Sequence, residues 1–300
     1  MTVTLPELKK GFERVGYICD DSTALTVFLT LELKKPLLIE GAPGVGKTEM
    51  GKVLADILNT NLIRLQCYEG LDETKALYEW NYQRQLLRIQ MNRNLEEEQV
   101  KEEDLFSEQY LMERPLLKAI QAEEKPVLLI DEVDKCDPEF EAFLFEVLSD
   151  FQVSIPELGT IRANQIPVVA LTSNNERELS DGLKRRCLYL CLDFPSLENE
   201  VQIIKAKVPE TADRLAWDIA RVVARLRRQG DLRKKPSIAE TIDWARALVT
   251  LNHSRLDGKL VGETLNLLLK NRADQELFRE EIGRQGIEEV LKQGGGEATR

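Results

Sequence analysis

Apolar residues fall into two regimes along the chain. Before residue 200 short runs recur: Leu37-Leu38-Ile39, Leu62-Ile63-Arg64-Leu65, Val127-Leu128-Leu129-Ile130, Val168-Val169-Ala170-Leu171 and Leu188-Tyr189-Leu190-Cys191-Leu192. Most do not alternate apolar with polar positions, which is the pattern of a strand covered on both faces. Helical spacing fills the gaps, as in residues 49–58 and 139–148. Strands alternating with helices predict a parallel sheet in the α/β class. After Pro195 the strand runs stop, and residues 196–208, 211–229, 237–251, 261–271 and 274–291 carry helical patterns. In the second of these, Leu215, Ile219, Val222 and Leu226 make one apolar stripe. Ser237, three residues before Glu240, marks a capping box. The pattern predicts an α/β part over 1–195, an all-α part over 196–291 and an unstructured tail over 292–300.

Two stretches break the α/β rhythm. Residues 95–104 are dominated by Glu96, Glu97, Glu98, Glu102, Glu103 and Asp104, expected as a solvated helix or loop. Residues 151–161 place Phe151 to Ile155 and Gly159 to Ile161 around Pro156-Glu157-Leu158, which predicts a small hairpin in a helix–strand connection.

Composition narrows the chemistry. Lys and Arg number 41 against 52 Asp and Glu, a formal charge of −11 over 300 residues. A surface of that sign does not coat nucleic acid or anionic lipid as a whole. The chain has one histidine, His253, so histidine-rich metal sites are excluded. Its five cysteines, Cys19, Cys67, Cys136, Cys187 and Cys191, form no C-x-x-C pair and suggest neither a zinc ribbon nor a disulfide framework. The two on the last strand, Cys187 and Cys191, are expected as buried small apolar groups. No leader layout opens the sequence and no apolar run reaches membrane-spanning length, so a reduced, cytoplasmic setting is expected.

Two motifs carry the candidate chemistry. Gly41-Ala42-Pro43-Gly44-Val45-Gly46-Lys47-Thr48 fits the phosphate-binding loop pattern, with a buried strand before it and a helical pattern after it. Glycines let backbone N–H groups turn inward onto phosphate oxygens. Lys47 would bridge β- and γ-phosphates, Thr48 would ligate Mg²⁺, and the helix start, Glu49 included, completes the candidate nucleotide-binding set. The plain alternative is a glycine-rich turn. Val127 to Ile130 then runs into Asp131-Glu132, two carboxylates at the carboxyl edge of a buried strand. Asp131 would hold the metal and Glu132 would polarise the attacking water.

Together these motifs, ahead of a helical C-terminal part, resemble an AAA+ ATPase. Residues from about 16 to 251 resemble the MoxR family, especially its carbon-monoxide-dehydrogenase-maturation (CoxD-like) branch. The supporting blocks are 38–48, 65–72 (Leu65-Gln66-Cys67-Tyr68-Glu69-Gly70-Leu71-Asp72), 78–82 and 183–187. The resemblance implies a P-loop NTPase fold with a helical lid, and ATP with Mg²⁺ as cofactors. It puts sensor 1 after the strand at 168–171, on Asn174 or else Asn175. It puts an arginine finger at Arg186, with Arg185 beside it, acting in a neighbouring subunit. For sensor 2 the usual arginine after the proline is replaced by Ser237, leaving Arg233, Lys234 or Lys235, of which Lys235 is nearest. The hairpin at 151–161 resembles a pore-side insert, against the alternative of an ordinary surface hairpin. The wider basic run, Arg221, Arg225, Arg227, Arg228, Arg233, Lys234 and Lys235, reads as a solvated helix face or a subunit contact, since no stacking aromatic is interleaved.

The resemblance implies a ring homo-oligomer, expected as a hexamer, that remodels a client protein or matures a metalloenzyme. Its expected partner carries a von Willebrand factor type A domain. The competing reading is an AAA+ nucleic-acid motor or loader, which the −11 charge disfavours. A GTP-dependent switch ranks lower, because no N-K-x-D motif is present.

Overall fold

The computed structural model describes residues 3–95 and 102–292. Most of the acidic run at Glu96–Glu98 and the glycine-rich tail therefore lie outside the described residues. The described residues of Met1–Gly11, Asp21–Gly41 and Lys47–Leu192 form one compact unit; those of Phe12–Asp20, Ala42–Gly46 and Asp193–Arg300 form a second.

The first unit opens with helices α1 (Leu5–Arg14) and α2 (Asp21–Leu33) and then alternates strand and helix: β1 (Leu37–Gly41), α3 (Lys47–Leu58), β2 (Leu62–Gln66). An excursion follows: α4 (Glu73–Ala76), β3 (Tyr78–Trp80), α5 (Tyr82–Leu95), α6 (Glu102–Leu105), β4 (Leu111–Glu113) and α7 (Pro115–Gln121). The main rhythm resumes with β5 (Val127–Asp131), α8 (Pro138–Asp150), the strands β6 (Gln152–Ile155) and β7 (Gly159–Arg162), then β8 (Val168–Ser173), α9 (Asp181–Arg186) and β9 (Leu188–Leu192). Five strands form one parallel sheet in the order β2-β5-β8-β1-β9. The predicted five-stranded α/β sheet is therefore present, with a helical region after it.

Position in the sheet decides which apolar runs are buried. The three central strands are covered throughout, apart from the last residue of β1. The outer strands β2 and β9 are not. The expectation that Cys187 and Cys191 are both buried fails for this reason: on edge strand β9, Cys191 is exposed and Cys187 is half-buried just before the strand. Burial pushes the Cys187 thiol up to about 12.

Each excursion carries its own antiparallel pair. The predicted hairpin at 151–161 forms as β6 against β7. The other pair, β3 against β4, brackets α5 and lies between β2 and β5, where sequence reasoning placed no insert. Trp80 is buried there, edge-on to Tyr78 and Phe106, whereas Tyr82 is exposed at the start of α5.

The second unit is helical after Asp193: α10 (Leu197–Lys207), α11 (Asp213–Arg228), α12 (Ile238–Thr250), α13 (Gly258–Thr264), α14 (Arg272–Leu277) and α15 (Gly283–Lys292). The expected apolar stripe of α11 is fully buried at Leu215, Ile219, Val222 and Leu226, against Trp244 of α12. The capping box at Ser237 and Glu240 is present in both directions. The helix expected over 274–291 is divided by a wider turn at Phe278–Ile282 and by Gly283, whose φ of +52° ends it. Arg227 departs from the solvated-face expectation for the basic run. It is buried, its guanidinium makes a two-pronged pair with Glu200 (2.7 and 3.1 Å), and it stacks over Phe194. A buried guanidinium is tolerated because nearly all its donors are committed, Nε to the Pro236 carbonyl among them.

Candidate functional site

The carboxyl ends of β1, β5 and β8 lie side by side. Glu40 is paired with Ser173 and Ile130 with Leu171, so the segments following these three strands emerge at one edge of the sheet. That edge is where an open α/β sheet places its ligands.

The loop after β1 has the backbone its glycines imply. Gly44 and Gly46 sit at φ +83° and +96°, a region that side-chain-bearing residues rarely enter. A Cβ on Gly44 would stand 2.2 Å from that of Ser237, and the Gly44 carbonyl accepts the Ile238 N–H at 3.0 Å. Around Gly46 the space a Cβ would take is open. Lys47 starts α3 and is buried, with its ammonium donating to the Gly41 carbonyl at 2.6 Å. Burial lowers its pKa from the usual lysine value, opposed by the carboxylates of Asp134, Asp131 and Glu132. Glu49 follows in the first turn, where a carboxylate suits the helix dipole, and lies 3.4 Å from Lys52.

Thr48 and Asp131, 83 residues apart, meet directly. The Thr48 hydroxyl donates to Asp131 Oδ1 at 2.9 Å and lies 3.2 Å from Oδ2. Asp131 is 2% exposed and also accepts the Thr172 hydroxyl at 2.5 Å. A hydroxyl and a carboxylate, both hard oxygen donors, brought together beside a phosphate-binding loop fit Mg²⁺. Among the described residues there is no cluster of three or more His, Cys, Asp or Glu side chains suited to a metal.

Glu132 has a left-handed backbone (φ +59°, ψ +49°), uncommon outside glycine. Its N–H donates to Thr172 Oγ1 at 2.9 Å. Its carboxylate is held by Gln66 Nε2 at 2.9 Å and Lys135 Nζ at 2.8 Å, both on Oε2. The turn after β8 is wrapped around a second buried carboxylate: Asp134 Oδ2 accepts the N–H groups of Asn174 and Glu176, each at 3.0 Å. Asn174 is half-buried and Asn175, at φ +60°, is exposed.

The basic candidates are held loosely. Arg186 is exposed, its guanidinium 4.6 Å from the centre of the Phe145 ring. Arg185 reaches Asp181 only at 4.0 Å. Lys235 is exposed, whereas Lys234 pairs with Glu240 at 3.5 Å, and the backbones of Arg233 and Lys234 are tied to Asp274. The structure thus brings together Lys47, Thr48, Asp131, Glu132 and the turn bearing Asn174. Arg185 and Arg186 are not in contact with them through any bond.

Four further residues belong to this edge and were given no site role from sequence, although Gln66 lay in the 65–72 block and Thr172 just before Asn174: Arg64, Gln66, Asp134 and Thr172. Arg64 donates through Nε (3.1 Å) and Nη2 (2.5 Å) to Asp131 Oδ2. The available signal was two polar side chains, Arg64 and Gln66, two apart in an otherwise apolar strand and hence on one face.

The profile of the AAA domain, dynein-related subfamily, matches residues 36–187, just over half of the chain. The gas vesicle ATPase GvpN1 of Halobacterium salinarum is 23% identical over 261 residues, covering 84% of this chain and 74% of that protein. An uncharacterized protein of Staphylococcus saprophyticus is 25% identical over 245 residues, covering 79% of this chain and 84% of that one. Among solved structures, a variant of RuvB from Thermotoga maritima aligns with a TM-score of 0.50 at 18% identity, over 93% of this chain and 77% of that one. A likeness at that identity shows the fold alone.

Proposed function

This chain belongs to the dynein-related subfamily of AAA-domain proteins and is an ATPase, and from that premise we propose how its own residues share the work. The observation that carries the assignment is the Thr48–Asp131 contact, which joins the two motifs at one point beside Lys47 and Glu132. Lys47 binds the β- and γ-phosphates as a compact cation. Thr48 and Asp131 hold Mg²⁺, which when bound neutralises phosphate charge. Glu132 takes the proton of the attacking water on its carboxylate, once Gln66 and Lys135 release it. The neutral Asn174 amide orients that water and reads the γ-phosphate without adding charge. Arg186, exposed at the end of α9, stabilises the transferring phosphoryl group of a neighbouring copy, with Arg185 as the second candidate. Lys235 is the exposed cation assigned to sensor 2.

AAA+ proteins typically work as rings, and we assign this chain to a homo-oligomeric ring, a hexamer by the MoxR resemblance. The same resemblance, resting on residues 65–72, 78–82 and 183–187, supports a chaperone that matures a client protein or metalloenzyme with a von Willebrand factor type A-domain partner. Among the described residues no helix is long and apolar enough to cross a membrane. Nucleic acid is the weaker alternative, since Arg227 of the basic run is buried in an ion pair rather than offered to phosphate.

Lys47→Ala is expected to abolish binding of a fluorescent ATP analogue. Glu132→Gln is expected to keep binding and to lower phosphate release by about 10²–10⁴-fold. Wild-type turnover in either variant overturns the assigned roles. Affinity purification of Glu132→Gln from its native host, with ATP present, tests the client reading: enrichment of a von Willebrand factor type A-domain protein supports it, and recovery of the ring alone counts against it.

A further inference from the structure

Edge strand β2 reaches toward β5 with two side chains, and each grips one of the paired carboxylates. Gln66 holds Glu132 at 2.9 Å. Arg64 holds Asp131, with Nε and Nη2 both on Oδ2, and its Nη2 also lies 2.6 Å from Gln66 Oε1. The other Asp131 oxygen, Oδ1, accepts both Thr48 and Thr172. Every strong acceptor position of this buried carboxylate is therefore filled, and its single negative charge is balanced by a guanidinium from its own chain.

That arrangement conflicts with simple metal binding. A divalent cation approaching Asp131 meets a permanent positive charge on the carboxylate it needs, and a guanidinium is not removed by deprotonation. The pair is not locked in the interior, because the Arg64 side chain is 48% exposed while Asp131 is 2% exposed.

We propose that Arg64 is a positioning residue that makes metal loading conditional on nucleotide. Without nucleotide it occupies the outer oxygen of Asp131, so a bare divalent cation binds weakly. A triphosphate brings enough negative charge to draw the guanidinium away and bring the cation with it. The proposal rests on the ATPase reading of this site.

The test uses Mn²⁺ as the probe, titrated into nucleotide-free full-length protein and followed by electron paramagnetic resonance. Arg64→Gln is expected to bind Mn²⁺ about tenfold more tightly than wild type, and Arg64→Lys to fall between them. Arg64→Gln combined with Asp131→Asn is expected to lose the gain. With saturating ATP the difference between wild type and Arg64→Gln is expected to shrink. Equal Mn²⁺ affinity in wild type and both single variants, with thermal melts showing all of them folded, overturns the proposal; so does a gain that survives Asp131→Asn. If Arg64→Gln does not fold, the Arg64→Lys comparison alone decides. Failure of the ATPase reading shows itself differently, as absence of ATP binding to wild type with any metal, while the nucleotide-free Mn²⁺ comparison still stands.

Discussion

At the end of β5, Asp131 is nearly inaccessible and receives hydrogen bonds from Thr48, Thr172 and Arg64, while Glu132 is held by Gln66 and Lys135. At the end of α9, in the same unit, Arg185 and Arg186 stand exposed, with one distant ion pair and one ring face between them. The contrast is between charges neutralised inside the chain and charges left open. Burying a carboxylate without partners costs several kcal/mol, so a buried acid must be answered from its own fold. An exposed arginine carries no such debt and is free to answer a charge elsewhere. The proposed ring would use that open end, offering its charge to a neighbouring copy.

The sharpest way to break this comparison is to remove the open charge. Arg186→Ala is expected to lower turnover by about 10³-fold, the low end for an arginine finger. Thermal stability should move little, because the side chain is exposed and would lose only its contact with the Phe145 ring. Mixing Arg186→Ala with Glu132→Gln should restore part of the activity at mixed interfaces, and no restoration at any ratio argues against action in a neighbour. The contrary case is Arg227→Ala. Its guanidinium is buried on Glu200, and removing one partner of such a pair typically costs about 3–5 kcal/mol. Denaturant unfolding should show that loss in the helical unit. If Arg186→Ala destabilised the protein as much as Arg227→Ala does, the distinction between open and answered arginines would collapse.

Arg227 also shows where sequence reading stops. It stands in a run with Arg221, Arg225 and Arg228, and nothing local separates the one that turns inward. Its burial depends on Glu200, 27 positions away on another helix. The phosphate loop and the Asp131-Glu132 pair were legible because their chemistry is written in adjacent residues beside an unbroken apolar run. The central strands were legible for the same reason: β5 and β8 are apolar until they reach the site. The edge strands were legible as strands but not in their burial, because the exposure of Cys191 depends on β9 having a paired strand on one side only among the described residues. Arg64 and Gln66 gave only a weak signal, for a related cause. Their partners follow from the β2–β5 register, which sets Gln66 opposite Asp131. The β3–β4 pair was missed because each of its strands is only three residues long, too short for a period to show.

The smallest expected effects decide between the two open arginines. Arg186 is stacked on Phe145 of α8 at 4.6 Å, which narrows where its guanidinium can point without neutralising it. Arg185 has only an exposed pair one helical turn away on Asp181, at the limit of ion-pair distance. The proposed finger would benefit from a restricted direction, and of the two arginines Arg186 is the one with a ring contact that restricts it. Phe145→Ala should therefore lower turnover by about two- to fivefold, the size of one exposed cation–π contact. It should do so through kcat rather than the KM for ATP, because the ring touches the arginine and not the nucleotide-binding residues. Arg185→Ala should change turnover by less than about twofold, as expected for a solvent-screened pair. Steady-state kinetics on the three single variants separates the cases. A large loss in Arg185→Ala with no response to Phe145→Ala would move the finger one residue toward the N-terminus, and would mean that the stacked arginine is held in place rather than aimed.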